Sequence, residues 1–495
     1  MTASLEGKRK WWALYVLCLG ALMIVLDSTI VTVALPSIRA SLGFSETSLA
    51  WVMNAYLLTF GGFLLLGGRL GDLFGQRKLF LLGLALFTVA SLACGLATTQ
   101  WFLVTARAAQ GIGGAVVDAV ALSLIMGLFT EPAERAKAMG VFGSVCAGGG
   151  SIGVLLGGLL TSALDWHWVF LVNIPVGILV SILTMRLLPA MENTGQRVRV
   201  DVGGAITITA SLMLAVYAIV NGNDAGWTSI ETIGLLGVSV ALMLIFLRIE
   251  STVASPLVPL GLFRLRNLAT ANAMGVLWAA GMFSWFFLSA LYLQIVLGYD
   301  PMQVGLAFLP SNLIMAGLSL GISAKLVMRF GIKAPLAVGL GLASIGLLLL
   351  ARAPVGGVFT IDVLPSMLLL GFGAGIAFNP ILLAAMNDAP QHESGLASGL
   401  VNTSFMMGGA LGLAILASLA ASRTESLLAV GVNQTAAVNS GYHIAFVVGA
   451  LFAIVATLLG TFVLRTPSVE STSSLEETAG SANAPVNFRV VTNEI

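Results

Sequence analysis

The chain has 495 residues, of which 58% are hydrophobic and only 9% charged, with a formal net charge of +1. That balance excludes a soluble globular protein and speaks for a chain solvated by lipid. The near-neutral charge says little about partners, and no nucleic acid is expected. Three cysteines (Cys18, Cys94, Cys146) lie in apolar stretches, which suggests neither a disulfide framework nor a zinc site.

Most apolar stretches run to about 20 residues, enough to cross roughly 30 Å of hydrocarbon as a helix. Fourteen are predicted, starting near Trp11, Leu49, Leu79, Phe102, Ala138, Trp168, Gly203, Glu231, Leu268, Gln303, Ala334, Leu364, Gly395 and Tyr442. The first is too long for a signal-peptide core and no small-residue cleavage pattern follows it, so it is read as helix one.

Between the second and third stretches lies Gly68-Arg69-Leu70-Gly71-Asp72-Leu73-Phe74-Gly75-Gln76-Arg77-Lys78. Between the tenth and eleventh lies Ala324-Lys325-Leu326-Val327-Met328-Arg329-Phe330-Gly331-Ile332-Lys333. A constant offset of 256 aligns Phe74-Gly75 with Phe330-Gly331 and Gly83 with Gly339. Repetition of a helix-loop-helix element in a membrane chain implies two similar halves with a path between them. Helices 1–6 then match 9–14, and helices 7 and 8 are an insertion. The expected divisions are 1–188, a first six-helix half; 189–250, a polar connector with the inserted helices; 251–465, the second half; and 466–495, a polar tail read as disordered. A long loop is expected from Ala421 to Gly441.

Basic residues set the orientation. With the N-terminus in the cytoplasm, nineteen of the 23 Lys and Arg residues fall inside and only Arg39, Arg352 and Arg423 outside, while Arg107 lies within a span. Both termini are therefore expected in the cytoplasm, and the chain in the inner (plasma) membrane.

Several strings resemble those of the major facilitator superfamily, specifically its fourteen-helix drug/proton antiporters. Leu26-Asp27-Ser28-Thr29-Ile30-Val31-Thr32-Val33-Ala34-Leu35-Pro36 resembles the helix-1 motif, and Gly68 to Lys78 the loop 2–3 motif. Arg107-Ala108-Ala109-Gln110-Gly111-Ile112-Gly113-Gly114 resembles the helix-4 motif, Gly149 to Gly158 the antiporter motif of helix 5, and Trp168 to Gly177 a run at helix 6. The chain departs from the family pattern at Thr32 (usually Asn), Val154 (usually Pro) and Asp118 (usually apolar or Pro). The resemblance implies an all-α integral membrane protein of two six-helix bundles with two extra helices between them.

Of 22 acidic residues, only Asp27 and Asp118 are placed well inside spans. A carboxylate in a bilayer costs a few kcal/mol even on lenient insertion scales (about 2.5–3.5), so it faces a cavity and does a job. Asp27 lies about 12 Å below the outer end of helix 1 and Arg107 about 9 Å below the same surface on helix 4. Both helices line the central cavity in the family's fold, so Arg107 is expected to hold Asp27 ionised, and their separation to let Asp27 take a proton. Asp118, close to three turns beyond Arg107, points the same way about 16 Å deeper, as a cation-recognising carboxylate or a second proton site. Gly68, Asp72, Gly75, Arg77 and Lys78 are expected to form a conformational latch, with Glu131, Glu134 and Arg135 as candidate partners. Gly149, Gly153, Gly157 and Gly158 permit close helix approach, and the resemblance adds that this helix seals the halves against leak. Glycines at 371–375 and 408–412 are expected packing surfaces of the second half. Trp51, Asn54 and Tyr56 on helix 2 and Tyr292 and Gln294 on helix 9 are candidate substrate contacts.

The expectation is a monomeric proton-coupled antiporter that exports hydrophobic, often cationic, compounds across a lipid bilayer, with no cofactor and no metal. No phosphate-binding loop of the Gly-x-x-x-x-Gly-Lys-Ser/Thr type appears, so ATP is not the expected energy source. A dedicated carrier of one physiological solute or self-made antibiotic is the alternative within transport. A transport-dead sensor is the alternative from another class. A membrane enzyme fits less well, because His167, His392 and His443 are scattered without nucleophile-base spacing.

Overall fold

The structure, a computed structural model, describes residues 7–129, 131–188, 201–253, 256–387 and 394–465. The connector expected at 189–200 and the whole tail from Thr466 lie outside the described residues. No strand occurs among those described. In hydrocarbon every backbone N–H and C=O must be satisfied within the segment, so long apolar runs fold as helices.

The first six crossings are α1 (Gly7–Leu42), α2 (Trp51–Phe74), α3 (Gln76–Gly95), α4 (Gln100–Leu128), α5 (Pro132–Ala163) and α6 (Asn173–Leu187). The inserted pair is α7 (Val202–Ala225) and α8 (Ile230–Thr252). The second half begins with α9 (Arg266–Leu291) and α10 (Pro301–Gly317). Then follow α11 (Lys333–Leu350), α12 (Leu364–Asn387), α13 (Ser394–Ala429) and α14 (Gln434–Leu458).

Thirteen described helices are long and apolar enough to cross a membrane. The expected span from Gln303 is divided: α10 passes through a wide turn, Leu318–Ile322, into Ser323–Phe330. The break falls at Gly321, whose φ of 151° and ψ of −20° are not helical. This arrangement is consistent with fourteen crossings.

The internal repeat has a structural counterpart. Gly75 (φ 90°) and Gly331 (φ 74°) end their helices in a backbone region that favours glycine. Gly83 on α3 packs against Gly113 on α4, where an added Cβ would meet Gly113 O at 3.2 Å. Its counterpart Gly339 on α11 packs against Gly373 on α12, with Gly373 O at 3.0 Å.

The far-end loop expected over Ala421–Gly441 is mostly helix. α13 runs to Ala429, and Asn433 caps α14 by accepting from Thr435 N. Hydropathy drops at Ser422-Arg423-Thr424-Glu425, but Arg423 and Glu425 are good helix formers and no Gly or Pro breaks the run. Thr424 Oγ1 ties the extension to α13 and α14 through Ala420 O (2.9 Å) and Ala437 O (3.4 Å). The inserted pair sits on one flank. Asn223 on α7 donates to Ser418 O on α13 (2.8 Å), and Gly62 on α2 lies against Thr209. α8 is held to α7 by reciprocal hydrogen bonds of Ser211 and Ser239 to each other's carbonyls, 2.8 Å each.

Candidate functional site

Small residues on α4 bring α2 close enough to build a polar site between helices. A Cβ at Gly111 would collide with Thr59 and lie 2.5 Å from Tyr56 O, and Thr59 Oγ1 donates to Ala108 O (2.8 Å). Tyr56 is thereby laid over the Arg107 guanidinium, 4.4 Å from ring centroid to Cζ, with Phe170 behind at 5.6 Å.

Asp27 and Arg107 are both fully buried. Arg107 Nη1 donates to Asp27 Oδ2 and to Gln110 Oε1, each at 2.6 Å, and Nε donates to Val52 O at 2.9 Å. The other carboxylate oxygen, Asp27 Oδ1, accepts from Gln110 Nε2 (2.7 Å) and Asn173 Nδ2 (2.8 Å). Gln110 also donates to Ser91 Oγ at 2.8 Å. The expected pair is therefore in direct contact, and α1, α2, α3, α4 and α6 all contribute to its setting. Gln110 and Asn173 are site residues the sequence reading did not single out. Gln110 lies one turn beyond Arg107 on the same face, which was the available signal. Arg107 Nη2 has no partner among the described residues.

Three glycines of α5 press on the helix that carries Asp27. A Cβ at Gly149 would lie 3.0 Å from Leu22 and Val25 side-chain atoms, one at Gly153 would collide with Thr29 Oγ1, and one at Gly157 would sit 2.5 Å from Ile30 O. Gly158 turns the other way, and a Cβ added there would lie 2.6 Å from Pro301 O of α10. Ser162 Oγ accepts from Met302 N (3.1 Å), and Gln294 Nε2 donates to Val33 O (3.0 Å), so the two halves meet at the end opposite the basic loops. In the second half a Cβ added at Gly371 would lie 2.5 Å from Ser311 O and one at Gly408 2.5 Å from Val276 Cα, so these glycines pack closely.

Toward the basic end the halves part around a cavity of about 520 Å³. Met139 of α5, Trp278 and Met282 of α9, Met315 of α10, Phe378 of α12 and Phe405 of α13 supply most of its apolar wall. Asn379 and Ser319 add polar groups beside the break at Gly321. Thioethers and aromatic rings form an adaptable lining suited to apolar ligands of varied shape.

None of the six expected substrate contacts, Asp118 included, lines this cavity. Trp51 belongs to a separate pocket of about 200 Å³ with Phe44, Trp101 and Tyr217. Tyr56 serves Arg107. Asn54 is buried with both amide atoms unpartnered among the described residues. Tyr292 donates to Pro354 O (2.9 Å), and Gln294 closes the far end. Asp118 is half-buried and has no hydrogen-bond or ion-pair partner among the described residues. It stands one turn beyond Gly114, over which the Tyr56 hydroxyl lies.

The expected latch is described in part. Arg77 donates to Met185 O at 2.6 Å, Lys78 is exposed, and Gly68 merely touches Ala119. The Asp72 side chain falls outside the described residues. Glu134 pairs with Lys10 on α1 at 2.5 Å, and Arg135 donates to Phe129 O at 2.9 Å. Among the described residues, the Lys10–Glu134 pair ties α1 to α5 at this end.

Two helical halves joined at one end and parted around a cavity at the other form a carrier rather than a pore or an enzyme cleft. The class so defined is a membrane transporter of small molecules. The chain belongs to the Major Facilitator Superfamily, whose sequence profile matches residues 17–413. It is 39% identical over 487 residues to the puromycin resistance protein pur8 of Streptomyces alboniger, covering 97% of this chain and 96% of that one. The cephamycin export protein CmcT of Amycolatopsis lactamdurans is 37% identical over 451 residues, 90% of this chain and 91% of its own. The multidrug resistance protein Stp of Mycobacterium tuberculosis (strain CDC 1551 / Oshkosh) is 35% identical over 410 residues, 83% of this chain and 76% of its own. A solved bacterial homologue of the human lysosomal transporter Spinster, inward-facing and occupied, superposes with a TM-score of 0.67 at 15% identity. It covers 94% of this chain and 100% of the other, a likeness of fold alone.

Proposed function

We propose that the chain exports hydrophobic, often cationic, compounds in exchange for protons by alternating access. The observation that carries this reading is the 2.6 Å contact of Asp27 with Arg107 in a site closed to solvent. Arg107 does not release its proton, so it acts as a fixed charge that holds Asp27 ionised. When the halves rock and α1 moves against α4, Asp27 loses that charge and takes a proton from water on the outer side. Return of Arg107 expels the proton to the inner side. The basic end is cytoplasmic by the positive-inside asymmetry, so the cavity takes up its cargo from the cytoplasm across the inner membrane. One chain supplies the whole path, and the working unit is the monomer.

A narrower reading, export of one self-made antibiotic, is favoured by the names of two relatives, which attach puromycin and cephamycin to those proteins. Both readings use the same coupling site.

The test is efflux from energised inverted vesicles, with an ethidium-like cation, a neutral hydrophobic drug and puromycin, in parent and Asp27→Asn. Proton-driven movement of the cation and the drug, abolished in Asp27→Asn, supports the multidrug reading. Movement of puromycin alone supports the narrow one. Full proton-driven transport by Asp27→Asn removes the coupling assignment.

A further inference from the structure

The inserted hairpin holds two acids that the Asp27 mechanism does not use. Asp201 caps α7, its Oδ1 accepting from Gly204 N at 2.7 Å. Glu250 lies in the last turns of α8, its Oε2 accepting from Val258 N at 3.0 Å. Both side chains are more than nine-tenths buried, with Asp201 at 6% exposure and Glu250 at 4%. Each has one oxygen left over: Asp201 Oδ2 and Glu250 Oε1 are buried without a partner among the described residues. The two leftover oxygens face one small space. A Cβ built on Gly204 would lie 2.6 Å from Asp201 Oδ2 and 2.8 Å from Glu250 Oε1, so glycine leaves that space to the acids.

Two carboxylates so placed, with no donor between them among the described residues, cannot both stay ionised at low cost, because like charges repel strongly where water is excluded. One proton satisfies both oxygens. A divalent cation does not suit the site, since calcium takes 6–8 oxygen ligands and no group of three metal-ligating side chains occurs among the described residues. We propose that Asp201 and Glu250 share one proton, and that this proton holds the inserted hairpin against the basic end of α2.

The site lies where such a device has mechanical reach. From α2, Arg69 donates to Pro256 O at 2.8 Å and is within electrostatic range of Glu250. Leu66 of α2, Ala205 of α7 and Leu257 form a small apolar cluster beside it. Arg248, the other charge near the end of α8, is exposed, and the segment Pro256–Val258 contributes only backbone groups to the acids. With the proton bound, one negative charge faces Arg69 and the junction is closed. With it lost at alkaline pH, two negative charges oppose each other and the junction loosens. The α2 end it grips is the one that leads into Gly68–Lys78.

Infrared difference spectroscopy of the full chain in lipid nanodiscs tests this directly. At neutral pH the parent is expected to carry a protonated carboxyl stretch that Glu250→Gln and Asp201→Asn each remove. Asp27→Asn leaves that signal in place whether or not Asp27 couples protons, so the two readings fail separately. If neither variant removes a protonated carboxyl signal at neutral pH, both acids are ionised and the proposal is overturned. Hydrogen exchange on the unmutated chain is independent of how the variants fold. Protection of Val202–Ala205 and Leu257–Val258, corrected for intrinsic rates, is expected to fall as the band titrates away at higher pH. Protection that does not follow the band overturns the proposal as well.

Discussion

Asp27 and Arg107 stand eighty positions apart in the chain and meet at 2.6 Å, with neither side chain reached by solvent. Removing one partner of such a pair strands the other charge, which costs about 3–5 kcal/mol, whereas removing both strands none. Asp27→Asn and Arg107→Gln should each lower the unfolding midpoint strongly, and the double variant should lose less than the two combined. A thermal-unfolding cycle in nanodiscs measures the coupling. Additive losses would mean that the pair is not an energetic unit.

The α5 glycines differ in what stands opposite them. At Gly157 an added Cβ meets Ile30 backbone oxygen at 2.5 Å, and backbone cannot swing aside. At Gly148 nothing lies within 4 Å. Gly157→Ala should therefore cost about 1–3 kcal/mol by forcing α1 from α5. Gly148→Ala should gain about 0.5–1 kcal/mol from reduced chain entropy. Unfolding midpoints of the two variants decide the matter, and equal shifts would remove the close-packing account.

Much of the Asp27–Arg107 site was legible because depth in a membrane helix is arithmetic. Asp27 and Arg107 were each placed by counting from a helix end. Asn173 was harder to see: it opens α6 just after the short turn Trp168–Leu171, and only tertiary packing aims it at Asp27. Tyr292 and Gln294 misled for a similar reason. Aromatic and amide groups near a helix end serve a cavity or cap a neighbour's carbonyl, and sequence does not separate the two. The divided α10 was legible only as an apolar run, since Gly321 is one glycine among 57 until its φ is known. The extension of α13 was hidden because hydropathy reports lipid contact, whereas helix continues wherever propensity and caps allow.

Gly321 offers a test in which sterics play no part. Its φ is 151°, yet an added Cβ would meet nothing within 4 Å. Substitution therefore acts on the backbone alone, at about 1–3 kcal/mol. Gly321→Ala and Gly321→Ser should cost alike and slow efflux alike, because the break beside Ser319 and Ala324 shapes the cavity wall. A loss that grows with side-chain size would point to crowding instead.

Asp118 is the converse case, an acid with nothing to lose locally. No described group hydrogen-bonds or pairs with it, so Asp118→Asn should change stability by no more than about 0.5 kcal/mol. Its carboxylate lies one turn from Gly114, on the α4 face that also carries Arg107 and is close to the Tyr56 hydroxyl. A negative charge there, left unneutralised, favours a cationic cargo over a neutral one by Coulomb attraction. Efflux of an ethidium-like cation should therefore fall at least tenfold in Asp118→Asn, while a neutral hydrophobic drug moves as in the parent. Equal loss of both cargoes would instead place Asp118 with Asp27 in proton coupling, because a coupling acid is needed whatever is carried.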